Sequence, residues 1–331
     1  FKQKTAYDIM PSLVGLGDVY KRQLQSFADL HLHAPQYPML GMGMDLPLLD
    51  WLNAYAFPTE ARFADTGYAR EIYSRLAREL IANGTTRVCM FSSLHTDATL
   101  ILMEELEKAG VTGYVGKVNM DRNAAPGLLE ETTEESRRET LRWLDACQDF
   151  RLVKPMLTPR FTPSCTDELM AFLGKLAAER DLPVQSHLSE NQAEMAWVRQ
   201  LHPGCQQYWE TYAKYGLWTS RAVMAHCVWS DARERQAMRD AGVTAVHCAD
   251  SNQNICSGVA PVRAMLNEGV KVALGSGCWT TGRRISSRCR RAGTWPPPPV
   301  RHTSPSSRAL PQAIISTPWS WRTMIFPSPI P

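Results

Sequence analysis

Phe27-Ala28-Asp29-Leu30-His31-Leu32-His33 is a mostly apolar run that ends in two histidines one residue apart. Alternate residues of a strand point to the same face, so both imidazoles aim at one point if this run is a strand. In a barrel of parallel strands that point lies on the top face, where active sites form. Alone, the pattern is weak, because chance and hydrogen-bonded core histidines both produce it. Its weight comes from the company it keeps. His187 follows Val184-Gln185-Ser186 and His226 follows Val223-Met224-Ala225, each at the expected end of another strand. Core packing explains one such histidine readily and the set of four poorly.

Outward from this run, the chain from Ser26 to Ser276 alternates short apolar stretches with amphipathic helical periods. The strands expected after the first are 87–91, 113–118, 152–157, 184–187, 222–227, 243–247 and 270–274. Helical periods cover 68–82, 97–108, 133–147, 166–180, 230–240 and 261–267, most of them opened by Asp, Ser or Thr. Thr133-x-x-Ser136 and Ser230-x-x-Arg233 lack a full capping box. Strand followed by helix, repeated, predicts a parallel sheet. Eight strands in about 250 residues is the size of an α/β fold of the (β/α)8 TIM-like barrel type. A doubly wound sheet ranks second, because no Gly-rich phosphate loop follows the first strand.

Composition restricts the function classes. From Gly277 to Pro331 there are eight arginines and no Lys, Asp or Glu; setting that +8 aside from the overall +3 leaves −5 for residues 1–276. The body of the chain therefore suggests no nucleic-acid partner. No apolar run reaches the roughly 20 residues of a membrane span, so no membrane association is expected. The nine cysteines form no C-x-x-C pair, which suits reduced thiols and a cytoplasmic setting. H-E-x-x-H is absent, as are the H-x-E and P-C-x-x-C of cytidine-type deaminases.

Three histidines with an open coordination position suit a catalytic zinc, which lowers the pKa of its water to roughly 7. A proton shuttle is then needed, and Glu190, three residues after His187, is the candidate. The plainer alternative for Glu190 is a carboxylate favouring the dipole of the next helix. Trp51, Tyr55 and Phe57 shape either a pocket rim or a packed helix face. His95 and His247 read as supporting residues rather than ligands.

At this point the chain resembles a known family. FADLHLHAPQYP (27–38), DLPLLDWLNAYAFPTEARF (45–63), NGTTRVCMF (83–91), VGKVNMDRN (115–123), VKPMLTPRF (153–161), VQSHLSEN (184–191), VMAHCVW (223–229) and HCADSNQNICSG (247–258) are similar, in order and spacing, to the guanine deaminases of the amidohydrolase family. The resemblance implies His31, His33 and His187 as ligands to one zinc ion per subunit. It implies His226 as the residue orienting the attacking water and substrate, and Glu190 as proton shuttle. Gln36, Arg160 and Phe161 match the guanine-recognition residues. The activity implied is hydrolytic deamination of guanine to xanthine and ammonia, in a possible homodimer. The alternatives are an amidohydrolase for another aminopurine, a triazine or a pterin, or a catalytically silent purine-binding remnant. An amide offers donor and acceptor to a purine edge, a guanidinium a fork of donors, and an aromatic ring a stacking face. Without the resemblance, Arg160 reads as a surface ion pair and Phe161 as a core aromatic.

The ends depart from this pattern. Residues 1–23 resemble translated sequencing-adapter sequence, residues 24–276 form the barrel, and 277–331 hold ten of the 22 prolines with no period. The family's Asp after the eighth strand, a metal ligand and proton acceptor, is Gly277 here. Without it, little or no deaminase activity is expected. Gly-Cys-Trp-Thr is encoded GGN-TGY-TGG-ACN, and reading one base later makes Asp-Val-Gly available. A single-base frameshift at residue 277 would explain both the missing Asp and the acid-free tail. Sequencing the transcript is expected to show an Asp-encoding frame beneath codon 277; a GGN codon with no such frame overturns the idea.

Overall fold

The computed structural model of the chain describes residues 25–277. The expectations for residues 1–23 and for the tail after Gly277 lie outside the described residues. The strands are β1 (Phe27–His33), β2 (Thr85–Phe91), β3 (Thr112–Gly116), β4 (Val118–Asn119), β5 (Val153–Pro155), β6 (Thr158–Pro159), β7 (Val184–Leu188), β8 (Ala222–His226), β9 (Thr244–His247) and β10 (Lys271–Leu274). Among the described residues every strand pairing is parallel. One sheet runs β1-β2-β3-β5 and another β10-β9-β8-β7. Two parallel bridges join them, Leu157 to Val184 and Leu32 to Gly277. The eight staves therefore close into the expected (β/α)8 barrel, each near its expected position.

The closing seam lies beside the histidines. Gly277 N–H donates to His31 O at 2.8 Å, and His33 N–H donates to Gly277 O at 3.1 Å. Below them the buried Asp29 carboxylate accepts from Ser276 Oγ at 2.6 Å, Ser276 N at 3.0 Å and His31 N at 3.3 Å. Burial pushes the Asp29 carboxyl up to about 6, with the Ser276 bonds opposing. The sequence reading assigned this residue no role.

The main helices are α1 (Thr66–Ala82), α2 (Thr96–Ala109), α3 (Thr133–Ala146), α4 (Asp167–Glu179), α5 (Gln192–Leu201), α6 (Ala232–Ala241) and α7 (Val262–Asn267). Asp65, Thr132, Thr166 and Asp231 accept from the first-turn amides of α1, α3, α4 and α6. Two of these caps sit one residue away from Thr133 and Ser230, because Thr132 and Asp231 hold the extended backbone that a cap requires. A complete capping box, Asn191 with Glu194, opens α5, a helix that the sequence periodicity did not mark out.

Three apolar clusters divide the work. Leu30, Cys89, Tyr114, Met156, Val223, Val246 and Ala273 come from staves all round the ring and fill its interior. Leu76, Leu102, Trp143, Leu173 and Met238 belong to the shell between staves and helices. Met39, Leu48, Trp51, Phe57, Phe91 and Ile255 roof the top of the barrel. Part of that roof is a helical segment over residues 48–64 with a wide turn, in which Phe57 N–H bonds Leu52 O, five residues back. The wide turn ends at Pro58, which has no N–H to continue the regular ladder.

All seven described cysteines are free. Cys278 and Cys289 lie outside the described residues. No helix among the described residues is long and apolar enough to cross a membrane.

Helix α4 packs through Gly174, where an added Cβ would sit 1.6 Å from Tyr215 O. Gly174→Ala is expected to destabilise the chain by ~1–3 kcal/mol through overpacking. The check is a lower urea midpoint at unchanged slope.

Candidate active site

The ends of β1, β7 and β8 bring all four histidines together. The His31 ring centroid lies 5.0 Å from His33, 4.9 Å from His187 and 5.1 Å from His226. His187 stacks on His33 at 5.0 Å and on His226 at 5.4 Å. All four are buried. Burial holds His31, His33 and His187 well below the usual imidazole range, and the neighbouring histidines add to the effect. Burial also lowers His226 to about 4, with its bond to Asn252 opposing. The cluster is therefore neutral near pH 7, which leaves each ring a lone pair.

Partners decide where those lone pairs point. His187 Nδ1–H donates to Arg160 O at 2.6 Å, so its Nε2 carries the free pair. His226 Nδ1–H donates to Asn252 Oδ1 at 2.7 Å and faces Glu190 Oε1 at 3.3 Å, which frees its Nε2 likewise. His33 Nε2 lies only 3.0 Å from His187 Nε2. His31 Nε2 and His33 Nδ1 are buried with no hydrogen-bond partner. Buried ring nitrogens left without a protein partner are what a cation would satisfy, so the residues present fit a metal ion. The ligand atoms of His31, His187 and His226 all lie within 4.8 Å of one another. That group has His226 where the sequence reading has His33; the two sets share His31 and His187.

The backbone is bent to aim these rings. His226, Cys227 and Ser189 sit in the left-handed region, with φ of 72°, 48° and 47°. Such conformations cost roughly 1–3 kcal/mol each and persist where surrounding bonds hold them. Here Cys227 N–H bonds Leu188 O and Trp229 N–H bonds Ser189 O, both at 2.9 Å.

The remaining predicted residues line the same cleft. Gln36, Arg160, Phe161 and Glu190 face it with His33, His187 and His226, beside Trp51, Ile255 and Gly277. These side chains border about 430 Å³ of space, part of which opens to solvent. His31 stands behind that wall. Burial pushes the Glu190 carboxyl up to about 8, with Arg160 opposing. Its amide is held by Glu194 Oε2 at 3.0 Å, so Glu190 leads into α5 as the sequence reading allowed.

Behind the cleft is a residue that the sequence reading missed. Glu60 is 1% exposed and accepts from Arg160 Nη1 at 2.5 Å and Nη2 at 2.9 Å. It also accepts from Gln36 Nε2 at 2.9 Å. Phe57 lies beneath the Arg160 guanidinium, 5.0 Å from ring centroid to Cζ. Of the three aromatics considered for the rim, Trp51 lines the cleft, Phe57 supports Arg160, and Tyr55 is not among the walls. Arg160 is thus no surface ion pair. Asn252 was likewise missed. Nothing local marks Glu60 or Asn252, whose partners are 100 and 26 residues away. His95 and His247 stand outside the cleft wall.

Gly277 borders His33 with φ +73°, and a Cβ there would meet Ser251 Cβ at 2.6 Å. Any side chain at 277 requires Ser251 or the seam to shift.

The amidohydrolase family profile matches residues 25–289. The guanine deaminase of Rattus norvegicus is 44% identical over 255 residues, 76% of this chain and 56% of that protein. The guanine deaminase of Escherichia coli (strain K12) is 35% identical over 251 residues, 76% of this chain and 57% of that protein. Among solved structures, guanine deaminase from C. acetobutylicum with bound guanine in the active site superposes with a TM-score of 0.75. It is 48% identical, over 77% of this chain and 61% of that one. The chain spans a little over half the length of the curated relatives it matches. With the closed parallel barrel, the neutral histidine cluster at its mouth and a family profile covering most of its length, the chain belongs to the amidohydrolase family.

Proposed function

We propose that this barrel serves the hydrolytic deamination of guanine to xanthine and ammonia, with zinc as its metal. The observation that carries the reading is that one cleft joins a neutral imidazole cluster to Gln36, Arg160 and Phe161. The guanine deaminases among its relatives, one solved with guanine bound, support it. His31, His33 and His187 would hold the ion, with His226 beside them; imidazole nitrogen suits zinc among the divalent metals. A zinc ion there supplies Lewis acidity that draws the pKa of water towards about 7.

The chain's own residues do the rest. Arg160 offers donors to a purine acceptor, Gln36 an amide atom to the edge, and Phe161 an aromatic face. Phe161 is held against Trp197, edge-on at 6.1 Å between centroids. In the net reaction, water adds at the carbon bearing the amino group, and the C–N bond breaks. A water proton leaves with ammonia. Glu190, raised to about 8 by burial, holds a proton near neutral pH and can pass it to the leaving nitrogen. His226, tied through Nδ1 to Asn252, presents Nε2 as a fixed acceptor that orients the attacking water. The seven free cysteines support a reducing, cytoplasmic setting.

Gly277 brings no side chain to this centre. Metal analysis of the chain as printed is expected to find zinc well below one per chain, and less again after His187→Ala. A chain carrying Asp-Val-Gly after Ser276 is expected to approach one. Equal zinc in the printed chain and its His187→Ala variant would count against the ligand assignment.

In that frame-corrected chain, Arg160→Ala and Gln36→Ala are each expected to lower kcat/KM for guanine by about 10- to 100-fold, the loss of a strong buried hydrogen bond. Xanthine formation followed by ultraviolet absorbance provides the check. Unchanged guanine kinetics in both variants would redirect the reading to another aminopurine, a triazine or a pterin.

A further inference from the structure

We infer that Glu60 is a positioning residue that sets which atom of Gln36 meets the ligand, and so makes this wall of the cleft read an N–H donor. The inference rests on the purine reading above and adds to it the polarity of recognition.

Glu60 sits on the roof segment, buried, and touches both recognition residues with one carboxylate. Arg160 closes on it as a two-pronged fork, Nη1 on Oε2 at 2.5 Å and Nη2 on Oε1 at 2.9 Å. Two parallel N–H bonds between ionised groups are strong and geometrically demanding. They fix the carboxylate plane. Oε1 then takes a second donor, Gln36 Nε2, at 2.9 Å. A carboxylate in such a fork can only accept, so the amide must turn its NH2 towards Glu60. The amide oxygen is turned away as a consequence. Gln36 is 3% exposed, its Oε1 is buried with no hydrogen-bond partner, and the residue lines the cleft.

An amide free to rotate offers donor or acceptor as the ligand demands. One anchored in this way offers the acceptor alone. A buried acceptor without a donor is unfavourable, and a ligand N–H relieves it. Arg160 supplies the opposite polarity nearby: two of its five N–H groups are committed to Glu60, and the others remain to meet a ligand oxygen or ring nitrogen. The ligand class favoured therefore displays an acceptor to Arg160 and an N–H to Gln36, as the lactam form of an aminopurine does. A heterocycle with only acceptors along that edge is disfavoured. Glu60 need not touch the ligand to impose this.

The test has two arms on the full chain. In the first, glutamine is labelled with nitrogen-15 and hydrogen exchange of the Gln36 side-chain NH2 is measured without ligand. Slow exchange is expected, accelerated at least about 10-fold, roughly 1.4 kcal/mol of protection, by Glu60→Met, which removes the acceptor and keeps the length. Exchange as fast as that of surface glutamines, or unchanged in a folded Glu60→Met chain, overturns the inference. In the second arm, calorimetry compares guanine with hypoxanthine, which lacks the 2-amino donors, and with 9-methylguanine, which lacks a ring N–H. At least one analogue is expected to bind about 10-fold or more weakly than guanine. That penalty is expected to shrink to within about 3-fold in Gln36→Leu, which leaves the Glu60–Arg160 fork intact. A penalty of the same size in Gln36→Leu overturns the inference, even if Glu60→Met fails to fold. If the chain binds no purine at all, the proposed function fails, and the exchange arm alone judges the anchored amide.

Discussion

Four buried imidazoles stand ring against ring at the mouth of the barrel, and this constraint governs the rest of the site. Protonating any one of them would bury a cation, so burial keeps all four neutral, and neighbouring rings add to the effect at His31, His33 and His187. His31 Nε2 and His33 Nδ1 are buried without a protein partner, which is unfavourable until a cation or a donor meets them. The protein's contribution is to make each ring unable to turn away. Arg160 O fixes His187, Asn252 fixes His226, and the seam through Gly277 and Asp29 fixes the strand that carries His31 and His33.

The same constraint ties recognition to the metal centre. The main chain of Arg160 orients His187, while its side chain enters the fork with Glu60. Ser186, next to His187, donates to Pro159 O at 2.7 Å, which staples β6 to β7 at this level. A displacement of the 159–161 segment would move a candidate ligand and a recognition residue together. Groups that must meet opposite sides of one small ring are thus spaced by backbone rather than by flexible side chains.

Gly277 stands where the resemblance implies an Asp. The seam closes without a side chain there, because Gly277 adopts a left-handed conformation and Ser251 occupies the space a Cβ would need. The hydrogen bonds that close the barrel use only the main chain of this residue, but any side chain there would require Ser251 or the seam to shift.

The β/α alternation and the strand ends were legible because their cause is local. A parallel stave buried on both faces must be a short apolar run, and its helix must carry a 3.6-residue stripe, wherever the chain later goes. The H-x-H pair was legible for a similar reason, since a strand alone puts both rings on one face. Arg160, Gln36 and Phe161 became visible through resemblance; their own neighbourhoods read as surface or core. Glu60 stayed hidden because a glutamate in an amphipathic helix is normally solvated, and only a partner 100 residues away explains its burial. Asn252, Asp29 and the capping box of α5 were hidden in the same manner. By itself, then, the sequence determined the barrel, its polarity and the histidines at its mouth, because strand and helix periodicities act over a few residues. Only the tertiary structure decided which ring nitrogen faces inward, which amide atom meets the ligand and how the seam closes. Each of those depends on one directional hydrogen bond, whose partner only the closed barrel brings within 3 Å or so.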